Sequence, residues 1–221
     1  MIIISKNIPS NLLSELKKIG EVQTFLTNNK TDTRLAGHVD MFCCKVDETY
    51  VVEESLYSLI NNVSNILPGE SKVKTSFHHS PYNAVITDDY ILHNTTVTDK
   101  IILQLTKNKK QINVKQSFTR CSVIPLPDGT FITSDKGISK ILTINNIQHL
   151  LVDNEKIVLP GFKKGCIGGC CGINKLDYYL TGSLEHHSQG KAIKRFMVEH
   201  GCNVIELVDD ALFDCGSFFF I

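Results

Sequence analysis

One arrangement recurs four times along this chain and limits the fold more than any single residue does. The stretches F-C-C-K-V-D-E-T-Y-V-V, A-V-I-T-D-D-Y-I-L-H, S-V-I-P-L-P-D-G-T-F-I-T and G-I-N-K-L-D-Y-Y-L-T each set β-branched or aromatic runs on both sides of an acidic or Asp-Gly turn. That is the signature of a β-hairpin. With Glu48, Asp89, Gly129 and Asp177 as turn markers, the spacings are 41, 40 and 48 residues. A near-constant period of this length indicates one repeated supersecondary unit. Behind each hairpin, apolar residues fall at helical spacing in E-E-S-L-Y-S-L-I-N-N-V, T-V-T-D-K-I-I-L-Q-L-T, K-G-I-S-K-I-L-T and S-Q-G-K-A-I-K-R-F-M-V-E-H-G, the last closed by Gly201. One more extended run then follows in each: K-V-K-T-S-F, Q-I-N-V-K-Q, K-I-V-L-P and N-V-I-E-L-V. The unit reads strand–turn–strand–helix–strand.

The two ends supply a fifth copy. D-C-G-S-F-F-F-I provides a first hairpin strand, and M-I-I-I-S provides a second. P-S-N-L-L-S-E-L-K-K-I-G then reads as a helix with Ser10 as N-cap and Gly20 as C-cap, and E-V-Q-T-F-L completes the unit. A unit split between the termini closes a circular array when the first strand pairs with the last. The expected fold is α/β: a five-bladed pseudo-symmetric ββαβ propeller, closed by pairing of the N- and C-terminal strands, with residues 1–221 as one domain. The alternative on the same pattern is a mixed α+β sheet without symmetry.

Charge and cysteine content narrow the function. The chain carries 23 basic and 23 acidic residues. A neutral balance argues against nucleic acid or an anionic membrane as the main partner, since both attract a basic field. No apolar run approaches the roughly 18–20 residues of a membrane span, and M-I-I-I lacks the features of a signal peptide. These features point to a cytoplasmic protein. The cytosol keeps thiols reduced, so its eight cysteines read as buried thiols, metal ligands or a nucleophile rather than a disulfide framework.

Two segments carry a resemblance: G-H-V-D-M-F at Gly37–Phe42, and Cys215 followed by Gly216 near the end of the chain. With the split repeat, they make the sequence similar to the pentein superfamily. Its members are guanidino-group-modifying enzymes (arginine and agmatine deiminases, dimethylarginine dimethylaminohydrolase, amidinotransferases) and a non-catalytic ribosome anti-association factor. Within the superfamily the sequence resembles a bacterial family with no assigned reaction. The resemblance implies an axial pocket that takes a small guanidino or amidine-type molecule, with no cofactor. It places the nucleophile at Cys215. A thiolate attacks the guanidinium carbon, carboxylates grip the nitrogens, and a histidine moves the protons.

Residues facing such a pocket follow from counting back from each turn by even numbers, since strand side chains alternate. The count selects Asp40 with His38, then Asn83, Cys121, Cys171 and Cys215. Cys215, His38 and Asp40 are the catalytic candidates; Asp40, Asn83, Cys121 and Cys171 are the substrate-binding ones. Cys215 needs a lowered pKa, from His38 or a facing helix N-terminus, to be a nucleophile. The bland alternatives are an inert buried thiol, a core histidine and a turn-capping acid. The pattern also departs from the family. F-T-R-C-S carries Cys121 where penteins carry a histidine, and Phe213-Asp214 stand where a glycine run usually precedes the cysteine. The deiminase triad is therefore not carried over: the site is rotated toward another reaction, or it does not turn over. In G-C-I-G-G-C-C-G, Cys166, Cys170 and Cys171 lack paired C-x-x-C spacing, so no metal is expected there. That stretch reads instead as a tight loop lining the pocket. His78-His79 and His186-His187 are reserve acid/base candidates, and Lys107–Lys110 reads as a solvated helix end. The competing functions are a pentein-shaped binding protein directed at the ribosome or another protein, and a thiol-rich metal or redox protein.

Overall fold

A computed structural model of the chain describes residues 1–27, 32–73 and 79–221. The first strand, β1 (Ile2–Ser5), is buried throughout. It pairs antiparallel with Phe218–Phe220 at the other end of the chain, Ile2 opposite Phe220 and Ile3 opposite Phe219. This is the terminal pairing that the split repeat calls for. The chain continues through α1 (Ser10–Ile19) to β2 (Val22–Phe25), which lies parallel to β1. Ser10 is the first helical residue and not the cap: Pro9 precedes it, and no side chain caps this end. Proline suits the start of a helix because its missing N–H would be unpaired there in any case.

Four units follow. The first is β3 (Cys43–Val46), β4 (Thr49–Val52), α2 (Glu54–Ile60) and β5 (Ile66–Pro68). The second is β6 (Val85–Ile86), β7 (Tyr90–His93), α3 (Lys100–Leu105) and β8 (Lys110–Asn113). The third opens with a single helical turn, α4 (Thr119–Ser122), and continues as β9 (Val123–Pro125), β10 (Phe131–Thr133), α5 (Lys136–Ile144) and β11 (His149–Leu151). The fourth is β12 (Cys171–Asn174), β13 (Asp177–Leu180), α6 (Gly190–Glu199) and β14 (Asn203–Glu206). The last strand is β15 (Phe218–Phe220).

In every unit the hairpin is antiparallel and the third strand returns parallel to the second. Three units are separate three-stranded sheets. The fourth unit and the split one merge into a six-stranded sheet, order β14-β13-β12-β15-β1-β2, joined where Gly172 pairs with Phe218. Among the described residues the strands form four sheets, and no sheet closes on itself.

Two third strands fall earlier than the sequence suggested. In the first unit it is Ile66–Pro68 and not Lys72–Phe77, of which residues 74–77 lie outside the described residues. In the third unit it is His149–Leu151 and not Lys156–Pro160, where Val158 makes only a single bridge to Phe213. The cause is the same in both. Asn65 and Asn146 take positive φ, 63° and 55°, and turn the chain sharply into the strand. Asparagine does here what glycine does more visibly elsewhere. Cys43 and Cys44 point to opposite faces of β3 and are both buried, because each face is covered by apolar side chains.

Candidate functional site

The site is built from what precedes the first strands, not from the strands. Val39–Met41 and Gly168–Cys170 are single 3-10 turns, and Thr119–Ser122 is one α-helical turn. Each turn delivers its chain into a hairpin and presents side chains just outside the sheet. Asp40 comes from the first turn and Cys121 from the α-helical one.

These two meet directly. The Cys121 thiol donates to Asp40 Oδ2 at 3.1 Å. Asn83 fixes both: its Nδ2 donates to the Asp40 carbonyl at 3.0 Å and to Cys121 Sγ at 3.2 Å, and its Oδ1 accepts from the Cys121 N–H. Ser217 Oγ donates to Asp40 Oδ2 at 3.1 Å and to the Gly168 carbonyl. Asp40 Oδ1 is fully buried without a hydrogen-bond partner. A ring nitrogen of His38, a carboxylate oxygen of Asp40 and Cys121 Sγ all lie within 4.8 Å of one another, so these three could hold a metal ion.

Cys215 lines the same cavity as His38. Its N–H and that of Ser217 both donate to the Gly169 carbonyl, and its thiol points to the same oxygen at 3.4 Å. Gly216 has φ +71°, and a Cβ there would lie 2.3 Å from His38 Cβ. Ser217 follows at φ +58°. Two successive left-handed residues, one of them not glycine, are a strained arrangement held by the hydrogen bonds around them. The Asp40 N–H donates to the Gly216 carbonyl, locking this turn to the His38–Asp40 segment.

Asp214 is the residue that sequence reading missed. Its Oδ2 accepts from the Cys166 N–H and its Oδ1 from the Gly216 N–H, while His38 Nδ1 lies 3.9 Å from Oδ1. The glycine-rich loop exists to admit it: a Cβ on Gly169 would lie 1.9 Å from Asp214 Oδ1, and one on Gly165 would lie 2.6 Å from Asp214 Cβ. An acid beside a cysteine in an otherwise apolar terminal segment was the available signal. Together with Ser5, Asn7 and Arg34, His38, Asp214 and Cys215 line a cavity of about 300 Å³.

Burial dominates the electrostatics of this region. Burial raises the Asp214 carboxyl above its usual range, against the opposing pull of His38 and two N–H donors. Burial, reinforced by Asp214 and Asp40, pushes the Cys215 thiol well above its ordinary value. The structure therefore does not give Cys215 the lowered pKa that the sequence reading required. Burial, Asp40 and Asp214 likewise raise Cys121. Arg120 is buried next to Cys121, but its guanidinium donates to the carbonyls of Val123, Gly168 and Cys171 and ties the third unit to the glycine loop.

Cys171 is not brought into this group. It opens β12 with its thiol inside an apolar cluster that includes Tyr178, Leu180 and Cys202. The preceding 3-10 turn breaks the alternation on which the counting relied. His186 pairs with Asp209 at the surface, and His187 is buried against Asp153, so neither lines the cavity. His78 lies outside the described residues. Lys109 is not a solvated helix end: its ammonium bonds Asp47 Oδ1 and the Asp88 carbonyl, joining the first two units. All eight cysteines are free thiols, and among the described residues no helix is long and apolar enough to cross a membrane.

The architecture has solved counterparts. A DDAH from Pseudomonas aeruginosa, a mutant complexed with citrulline, superposes with a TM-score of 0.54 at 9% identity, covering 95% of this chain and 91% of the other. A dimethylarginine dimethylaminohydrolase adduct with S-methyl-L-thiocitrulline gives 0.55 at 8% identity, with the same coverage. A C. jejuni agmatine deiminase gives 0.50 at 9% identity over 94% of this chain and 74% of the other. At such identities the likeness establishes the fold, which is that of the pentein superfamily. No curated protein matches the sequence. A family model described as "Family of unknown function (DUF6873)" matches residues 3–219, and the chain belongs to that family.

Proposed function

We propose that this protein is a single pentein domain whose five units surround a common axis, and that it acts in the cytoplasm on a small guanidino or amidine-type molecule through Cys215. The observation that carries this reading is the grouping of one thiol, one histidine and one buried carboxylate on a single cavity, with a second buried carboxylate, Asp40, behind it. Two buried acids that have no Lys or Arg ion pair among the described residues, one of them short of a hydrogen-bond donor, suit a cationic ligand whose flat face carries several N–H groups. The same positive charge answers the difficulty at the thiol. A guanidinium beside Cys215 offsets Asp40 and Asp214 and favours the thiolate.

In this scheme the Cys215 thiol proton passes to His38 as sulfur bonds to the guanidinium carbon. His38 returns a proton to the departing amine as the C–N bond breaks. It then takes a proton from water, whose oxygen attacks the same carbon and releases the thiol. Asp40 and Asp214 hold the guanidinium nitrogens, and Asn83 and Cys121 position Asp40. Neighbouring structures bound to citrulline and to a thiocitrulline adduct are in keeping with a small-molecule substrate of this class.

Intact-protein mass spectrometry against a haloacetamidine and a panel of guanidino compounds tests the reading. One adduct per chain is expected, absent in Cys215→Ala and retained in Cys171→Ala, with both variants checked for an unchanged urea midpoint. Cys215 is 1% exposed with a raised pKa, which favours the second reading, a binding protein with a silent thiol. Absence of any adduct, or an adduct that survives Cys215→Ala, decides for that second reading.

A further inference from the structure

We propose that His38, Asp40 and Cys121 form a site for one soft divalent metal ion, with zinc the best fit to the donor set. Imidazole nitrogen, carboxylate oxygen and thiolate sulfur together favour zinc over the hard cations, which take oxygen ligands. In a tetrahedral site with bonds of about 2.0–2.3 Å, donor atoms sit roughly 3.3–3.7 Å apart. The three donors already lie within 4.8 Å of one another, so closing on an ion takes at most about an ångström of side-chain movement.

Three further observations point to a ligand. Each member is more than nine-tenths buried: His38 5%, Asp40 0% and Cys121 6% exposed. Asp40 Oδ1 has no hydrogen-bond partner, and a buried acceptor left unpaired is costly unless something occupies it. The donors are also held from behind, as metal ligands are. Asn83 Nδ2 donates to Cys121 Sγ, Ser217 Oγ donates to Asp40 Oδ2, and Asp214 lies 3.9 Å from His38 Nδ1. His38 also lines the cavity, so an ion enters past it and keeps a fourth position for water. As the metal–sulfur bond forms, the Cys121 thiol proton leaves to solvent.

The site does not depend on the guanidino reading, but it shares His38 and Asp40 with it. A metal ion and a guanidinium compete for the same carboxylate, so an occupied site silences chemistry at Cys215. Failure of the adduct experiment leaves the metal titration untouched, and the reverse also holds.

Cobalt(II) titration of the metal-free protein is the test. One equivalent is expected to produce thiolate-to-cobalt charge-transfer absorption, which zinc then removes. Cys121→Ser and Asp40→Asn should lose the band, and Cys215→Ser, Cys166→Ser and Cys170→Ser should keep it. By competition with a chelating dye, Cys121→Ser should weaken zinc binding more than about 100-fold and Asn83→Ala by about 10- to 100-fold. Should the Cys121 variant fail to fold, X-ray absorption of the zinc-loaded wild type replaces it, with one sulfur in the first shell expected. No band, a band that survives Cys121→Ser, or two or more sulfurs at the metal each overturn the assignment.

Discussion

Two cavities among the described residues differ in kind, and the larger of them is the poorer in chemistry. The one lined by the hairpin turns has a volume of about 440 Å³, against about 300 Å³ for the one at His38 and Cys215. Apart from the buried Arg120, its charged residues, Asp47, Glu48, Asp88, Asp89, Asp128, Lys45 and Lys175, are exposed. Water reaches each of these exposed groups and screens the pairs that Asp47 makes with Lys109 and Asp128 with His200. In the smaller cavity His38, Asp214 and Cys215 are buried, and the N–H groups of Cys166 and Gly216 hold the Asp214 carboxylate in the room left by Gly165 and Gly169. Volume measures how loosely the turns pack; burial of charge measures what the fold has been built to hold. If this is right, equivalent changes should be severe at one cavity and mild at the other.

Glycine gives the largest contrast. Gly216 and Gly129 both have positive φ, +71° and +82°. A Cβ at Gly216 would lie 2.3 Å from His38 Cβ and 2.4 Å from its Cα, whereas at Gly129 the nearest atom is 3.9 Å away on Tyr90. Gly216→Ala therefore combines backbone strain with a clash against main chain and should cost about 3–5 kcal/mol. Gly129→Ala carries the strain alone, about 1–2 kcal/mol. Urea denaturation of the two variants measures the difference; equal losses would mean that His38 moves aside freely and that the small cavity is not pre-formed.

The same contrast explains what could be read from the sequence. The hairpins were legible because Asp-Gly and acidic turns between β-branched runs leave few other conformations. The joined termini were legible because Ile2–Ile4 and Phe218–Phe219 are apolar and buried, and the hairpin of their unit is complete only when the two ends of the chain meet. Asp40, Asn83 and Cys121 were found by counting in twos, although none of them lies in a strand. The count reached them because each stands two or three residues before a first strand. Cys171, selected by the same count, follows a 3-10 turn and lies in the apolar core cluster. Asp214 was taken for a departure from pattern, since its role depends on the room that Gly165 and Gly169 leave 45 or more residues earlier. Contacts of that kind are not periodic, so no periodicity reveals them.

A smaller effect separates the cavities by pH. The folded-state pKa of Asp214 is raised, chiefly by burial. Between the ordinary carboxyl value near 3.9 and that raised value, the native chain binds a proton that the unfolded chain has released. This group therefore favours the folded state less and less as pH rises through that window, and its penalty is complete above it. Compared with Asp214→Asn, the wild type should lose stability over this range in denaturant midpoints taken from pH 4 to 7. Acetamidine, a cation small enough for the cavity, should stabilise the wild type most above the window, where the carboxylate is charged. Parallel pH profiles for the two proteins would show that Asp214 titrates as a solvated acid.

The weakest effect belongs to the hairpin side. Lys109 Nζ lies 2.7 Å from Asp47 Oδ1 and bridges the first two units at the edge of the larger cavity. The Asp47 side chain is 57% exposed, so water screens the pair, and Lys109 keeps its bond to the Asp88 carbonyl when the carboxylate is lost. Asp47 also has φ +52°, which makes asparagine the replacement that isolates the charge, since it tolerates that conformation nearly as well. Asp47→Asn should cost below about 1 kcal/mol, and raising the salt concentration should shrink the difference further. A loss comparable to that of Gly216→Ala would mean that the units are held together by this rim, and that exposure is a poor guide to which of the two cavities the fold depends on.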